Sequence, residues 1–249
     1  MRSQTRSTEG GEQLAERGYR LIKQAIIRCE LLPGRQVTEV QLVDLCDLGR
    51  AAVRSALKRL YQEGLVQPVA RRGYLVAPVT MKQVNDLIDI RLLLEPSAAR
   101  SACGRIGASD LKRLEELSQV DYQIEDEESI AAFLSANTEF HVLIARASNN
   151  PRLVQILAGL LEEMQRYFHL GLRLRNRAME MHNEHDELVK ALMAGNADLA
   201  ERACFNQILA SRKMVVDALM SSPSIQEINL AFAADGFGHA NPLLLVPTR

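Results

Sequence analysis

The chain has no tryptophan, and aromatic residues make up only 4% of its 249 positions. A core without large rings has to be filled by Leu, Ile, Val and Ala, which favours helices packed through aliphatic side chains. No apolar run approaches the ~18 residues that a membrane-spanning helix needs. The polar start MRSQTRSTEGGEQ also lacks the apolar centre of a signal peptide. The four cysteines (Cys29, Cys46, Cys103 and Cys204) show no CxxC spacing and stand in apolar surroundings. That pattern argues against a disulfide framework and for buried free thiols in a reducing compartment. These absences lead to the expectation of a soluble, cytoplasmic protein with no membrane partner.

An excess of either charge is also missing, since the formal net charge is −1. The near-balance conceals a division. Residues 1–80 hold 13 Lys and Arg against 8 Asp and Glu, net +5, and the remainder holds 17 against 23, net −6. A basic amino-terminal part on an acidic body suits a polyanion-binding module joined to a second domain.

Residues 1–11 are polar and contain glycine, which predicts a flexible arm. From Glu12 to Cys29 apolar residues follow helical spacing, and Pro33-Gly34 then forms a turn pair. Thr38 with Gln41 three residues on is a capping box for a short second helix, with Leu42, Leu45 and Leu48 as its buried side. Gly49 opens a third helix and Gly64 stands at its carboxyl end. "LVQPV", "ARRG" and "YLVAPV" read as two β segments around a basic tip. Three helices and a hairpin, in that order, describe a winged helix-turn-helix over residues 12–79.

The third helix carries Arg50, Arg54 and Lys58 beside an apolar stripe of Val53, Leu57 and Leu60. At ~100° per residue the cations centre roughly a quarter turn from that stripe, so the helix can dock on its domain and still turn guanidinium groups outward. A helix that enters the major groove needs that arrangement, because Arg can bond guanine O6 and N7 in a forked pair. The bland alternative for such a row is a solvated basic face.

The run "PGRQVTEVQLVDLCDLGRAAVRSALKRLYQEGLV…RRGYLVAPV" resembles the DNA-binding domain of the GntR superfamily of bacterial transcription regulators. The resemblance implies double-stranded DNA as a partner. Arg50 and Arg54 would read bases, Lys58, Arg71 and Arg72 would meet phosphates or the minor groove, and Gly73 would belong to the wing. The sequence departs from the family pattern at Gly49, where Ser or Thr is usual, at Ala51-Ala52 in place of Thr-Pro, and at Val40 in place of Arg.

Beyond Thr80, which with Gln83 forms another capping box, helical patterns run to about 102 and then over 109–121, 127–147, 151–173, 174–194 and 197–220. Six helices with short connections and no strand signal predict an antiparallel bundle over residues 80–221. The fold class expected is therefore mainly α: a winged head followed by a six-helix bundle. Residues 222–249 read as a tail.

"DLIDIRLLLEPSAARSA", "NTEFHVLIARASNNPRL" and "HDELVKALMAGNADLAERA" resemble the FCD ligand-binding domain of the FadR/VanR branch of GntR regulators. That resemblance implies a homodimeric, ligand-responsive regulator, a repressor on a near-palindromic operator, whose bundle binds a small organic acid or a metal-bound effector. Positions matching the family's metal ligands are Asn137, His141, His185 and Gln207, so zinc, nickel or manganese is a candidate cofactor. Two of the four are amides, which bring no charge to a divalent ion. Arg91 matches a cavity-facing position and could clamp a carboxylate, or pair with Glu95 one turn on. His169 is expected to be structural. Two other readings are a small metal-dependent enzyme using Asn137, His141 and His185, and a DNA-organising protein; Glu139 faces away from His141 by helical geometry, and no nucleophile motif accompanies the histidines.

Overall fold

The computed structural model describes residues 3–221, and the expected tail at 222–249 lies outside the described residues. α1 (Ser3–Ile27) begins within the stretch expected to be an arm. Gly10-Gly11 weakens a helix by only about 1 kcal/mol per residue and does not stop it. Ile22 and Ile26 of α1 are buried in the head's core with Leu42, Val53, Leu57 and Leu60.

Thr38 and Gln41 form the capping box that opens α2 (Glu39–Cys46), each side chain satisfying a backbone N–H at that end. The buried side of α2 differs from the periodicity. Leu42 and Cys46 are buried, whereas Leu45 is 47% exposed. The helix ends at Cys46, and Asp47 takes a left-handed turn that returns Leu48 to the core.

α3 (Arg50–Gln62) buries Ala52, Val53, Ala56, Leu57 and Leu60. The wing strands β2 (Val66–Val69) and β3 (Gly73–Val76) pair antiparallel as expected. A third strand was not legible: β1 (Gln36–Val37) pairs with β3 on its other side, placing β3 at the centre. Gly73 sits where β1 crosses the hairpin. Its φ is +95°, and a Cβ there would lie 2.3 Å from the Val37 carbonyl oxygen. Only glycine fits that position.

The second domain comprises α4 (Met81–Ala102), α5 (Ala108–Ser118), α6 (Glu127–Ala147), α7 (Pro151–Leu172), α8 (Ala178–Met193) and α9 (Ala197–Ser221). Three of these helix starts have a clear sequence reason. The Thr80–Gln83 capping box opens α4, Asp126 accepts from two amides at α6, and Asn150 caps α7 with Pro151 in its first turn. α4 and α9 lie antiparallel, tied by Arg100 to Asp198 and Glu201 at one end and by Arg212 to Asn85 at the other. No described helix is long and apolar enough to cross a membrane.

The head meets the bundle through charge. Lys23 of α1 lies 3.3 Å from Glu63, at the end of α3, and 2.9 Å from Glu162 of α7. Burial works against its charge, but Glu162, Tyr19 and Glu63 more than offset this and raise its pKa. Arg28 pairs with Glu128 of α6 at 2.5 Å. Arg166 of α7, only 4% exposed, donates to the carbonyl oxygen of Ala77 just after the wing.

Gly73→Ala is expected to destabilise the head by about 1–3 kcal/mol, through its backbone conformation and the contact with Val37. Denaturant unfolding measures this, and an unchanged midpoint would show that the β1 crossing does not constrain the wing.

Candidate functional site

Two sets of residues are candidates for function, one on the head's surface and one inside the bundle. On α3, Arg50, Arg54 and Lys58 are exposed while the apolar stripe is buried, as the helical angles require. Gly49 takes the N-cap position without a side-chain cap, and open space surrounds the position of its missing Cβ. Arg54 is held in place: its Nε donates to both carboxylate oxygens of Glu39 at 3.1 and 2.9 Å. That pairing engages Nε and does not use the two terminal nitrogens.

The wing tip presents Arg71 and Arg72, both exposed, with Arg71 in a left-handed conformation at φ 62°. Gly73, expected as part of the binding surface, shapes this tip from a partly buried position. Another cation of α3 has a different task. Arg59 stacks 3.6 Å from the Tyr19 ring centre and pairs with Glu16 on α1, which fastens α3 to α1.

Inside the bundle, all four expected metal-ligand positions are buried: Asn137 and His141 on α6, His185 on α8 and Gln207 on α9. The rings of His141 and His185 are 5.8 Å apart, centre to centre. The residue that organises this region is Glu95 of α4, 3% exposed. Arg91, 1% exposed, donates to it through Nε and Nη2, and His141 Nδ1 lies 2.9 Å from Oε2. Burial alone would raise the Glu95 pKa, but Arg91 and then His141 override it and hold the carboxyl at about 2. His185 is pushed the other way, well below its usual value, chiefly by burial and further by His141 and His182. Burial thus favours its neutral form.

Of the two roles open to Arg91, the structure shows the pair with Glu95. The Glu95 partnership was visible as an i, i+4 spacing, but the approach of His141 from another helix had no local signal. These residues do not fit a divalent ion. The one carboxylate present is held by Arg91, whose guanidinium would repel a second cation at His141. Gln207 donates its amide nitrogen to the Glu184 carbonyl, and among the described residues no three His, Cys, Asp or Glu converge as a metal site. Glu139 is outside this cluster, paired with Arg113 on the surface. The cavity bounded by Glu95, Ala98, His141, Ile144, Leu157 and Cys204 is about 10 Å³, room for a single water.

A basic winged head on a helical bundle with a polar interior defines a ligand-domain transcription regulator. Comparisons identify the family. Residues 14–76 match the model for bacterial regulatory proteins of the gntR family, and residues 86–209 match the FCD domain. The chain belongs to the GntR family, in its FCD branch, and is a transcription regulator rather than an enzyme. It is 28% identical to the Nta operon transcriptional regulator of Aminobacter aminovorans, over 76% of this chain and 86% of the relative. It is 26% identical to the HTH-type transcriptional repressor GlaR of Escherichia coli, over 81% of this chain and 96% of the relative. In fold it matches E. coli McbR/YncC with a TM-score of 0.66 at 22% identity, over 82% of this chain and 97% of the other.

Glu95→Gln is expected to cost about 3–5 kcal/mol, because it leaves the Arg91 charge buried without its counterion. Replacing both members with apolar residues, Arg91→Met with Glu95→Leu, should cost less than Glu95→Gln alone. The depressed Glu95 pKa also sets a pH dependence. Its stabilisation is full above the unfolded value of about 4.3 and is lost as the pH falls towards about 2. Acid unfolding of the unmodified chain should therefore be steeper in that window than that of the Glu95→Gln chain. Equal profiles would remove Glu95 from the account.

Proposed function

We propose that the protein is a homodimeric repressor that reads a near-palindromic operator and releases it in response to a small organic acid. The observation that carries the DNA-reading part is the exposed row of Arg50, Arg54 and Lys58, with Arg54 pre-set by Glu39 and with Arg71 and Arg72 at the adjacent wing. Arg50 and Arg54 contact bases; Lys58, Arg71 and Arg72 contact phosphates or the minor groove. The name of GlaR as a repressor supports repression.

Support for the dimer comes from the outer surface of α4 and α9. Leu93 is 75% exposed and Ile90 lies one turn before it. The ties between α4 and α9 set Leu93 roughly level with Phe205, and Phe205 and Leu209 are exposed as well. Exposed apolar side chains on two adjoining helices suit association with a second copy. A two-fold dimer presents two recognition helices to two half-sites, which is why its operator is near-palindromic.

The bundle works without a resident metal in this reading, since two of the four expected ligands are amides and the carboxylate beside His141 is held by Arg91. The effector changes DNA occupancy only by binding one arrangement of head and bundle better than another.

Three measurements test this function. Arg54→Ala should weaken specific operator binding by about 1–3 kcal/mol if its fork reads a base; equal binding of mutant and parent to a footprinted operator would reject that role. Leu93→Asp should shift the chain from dimer to monomer in light scattering, and a persisting dimer would move the interface elsewhere. Elemental mass spectrometry of protein purified without a metal column should find no stoichiometric zinc, nickel or manganese. One ion per chain would restore the metal site at His141 and His185.

A further inference from the structure

We propose that the groove between the carboxyl end of α8 and the first turns of α9 is the docking site for residues 243–246 of the same chain, a segment outside the described residues. The groove is about 350 Å³ and its floor is aliphatic, with Ala191 and Ala194 on the α8 side and Leu199 and Ala203 on α9. Leu199 is 42% exposed, so among the described residues that floor is open. Small side chains on both walls let another stretch of chain approach closely, and an exposed Leu beside them gains from being covered.

The rim selects the kind of chain that fits. Lys190, Arg202 and Asn206 present side-chain donors, and Glu187 presents an acceptor. Among the described residues none of these four side chains has a hydrogen-bond or ion-pair partner. An extended peptide brings a carbonyl oxygen at every residue, together with apolar side chains for the floor. Donors around an aliphatic floor suit that occupant better than a helix, whose carbonyls are already engaged.

The sequence beyond Ser221 supplies one such segment. The run NPLLLVP at 241–247 places Leu243, Leu244, Leu245 and Val246 between two prolines. Proline cannot continue a helix, and it disfavours the helical conformation for the residue before it, here Val246, so the run favours an extended path. Charge agrees with the groove, because Arg249 follows the run and Glu187 is the one acid among the lining residues. The reach is also sufficient. Leu199 lies about 33 Å from Ser221 along α9, and the stretch 222–243 spans about 70 Å when extended.

The walls of the groove give occupancy a consequence. α8 carries His185 and α9 carries Gln207, both among the buried polar residues of the bundle. A segment seated across the two helices ties them from outside, beside the turn at Gly195 that joins them. The match to the FCD domain ends at residue 209, so this tie comes from chain beyond the shared domain. Neither the DNA reading nor the nature of the effector enters the assignment.

The test is the rate at which chymotrypsin cuts the full chain after Leu243, Leu244 or Leu245, set against a free peptide of residues 238–249. Cleavage about tenfold slower in the chain is the expected result, since covering aliphatic side chains is worth at least that factor. Leu199→Asp should abolish the protection, and Leu93→Asp, on another face, should leave it intact. Both positions are exposed, so neither variant disturbs the core. Glu187→Arg should reduce the protection about threefold, and Arg249→Glu added to it should restore the loss. Cleavage of the parent chain at the peptide's rate, or protection that survives Leu199→Asp, overturns the docking site. Protection lost with Leu93→Asp overturns it as well, because the segment then sits on the α4–α9 face or on a second copy. A charge exchange without effect rejects the pairing of Arg249 with Glu187, while the Leu199→Asp chain still decides the groove.

Discussion

Taking a guanidinium and a carboxylate out of water together is tolerable only when each largely satisfies the other, and the bundle is arranged around one such pair. Arg91 and Glu95 stand one turn apart on α4, so the helix itself brings them into register. His141 closes the carboxylate from α6, and the ring of Phe168 from α7 lies 5.4 Å from the Arg91 guanidinium. Four side chains from three helices thus make up this one exchange of charge. Desolvation makes such a pair weak evidence for net stability, but it makes a wrong arrangement costly, because any shift of α6 or α7 exposes an uncompensated charge to a medium that cannot solvate it. The pair therefore acts on which packing is allowed more than on how stable that packing is.

Much of this fold was legible because its helices announce their ends locally. Thr38 with Gln41, Thr80 with Gln83 and Asn150 with Pro151 are signals contained within four residues, and the structure starts helices at each. What was hidden depends on partners distant in the chain. β1 is two residues long and exists only because β3 returns to meet it. Leu45 looks buried by spacing and is not, because α2 ends one residue later and the chain turns at Asp47. Glu95 could be read as a neighbour of Arg91, but nothing in its own helix places His141 against it. Arg166 had no signal of any kind within a run that also holds Glu162 and Glu163.

The charge division between the halves of the chain was informative and too generous. Of the head's cations, Lys23 and Arg28 turn towards the bundle and Arg59 towards α1. They are structural or junctional charges that net +5 counted as part of a DNA-facing surface. The cations proposed for such a surface are those a helical angle can isolate, and the periodicity of α3 separated them where the total did not.

The bond from Arg166 to Ala77 ends on a main-chain oxygen. Every amino acid offers that oxygen, so the bundle's grip on the end of the wing does not depend on which side chain stands at 77. A substitution at 77 therefore leaves that particular hold in place. The ties through Lys23 and Arg28 lack this indifference, since each requires a named residue on both sides. The two kinds of attachment differ in what a substitution can do to them: the first is lost only by a change on the bundle's side, the others by a change on either side.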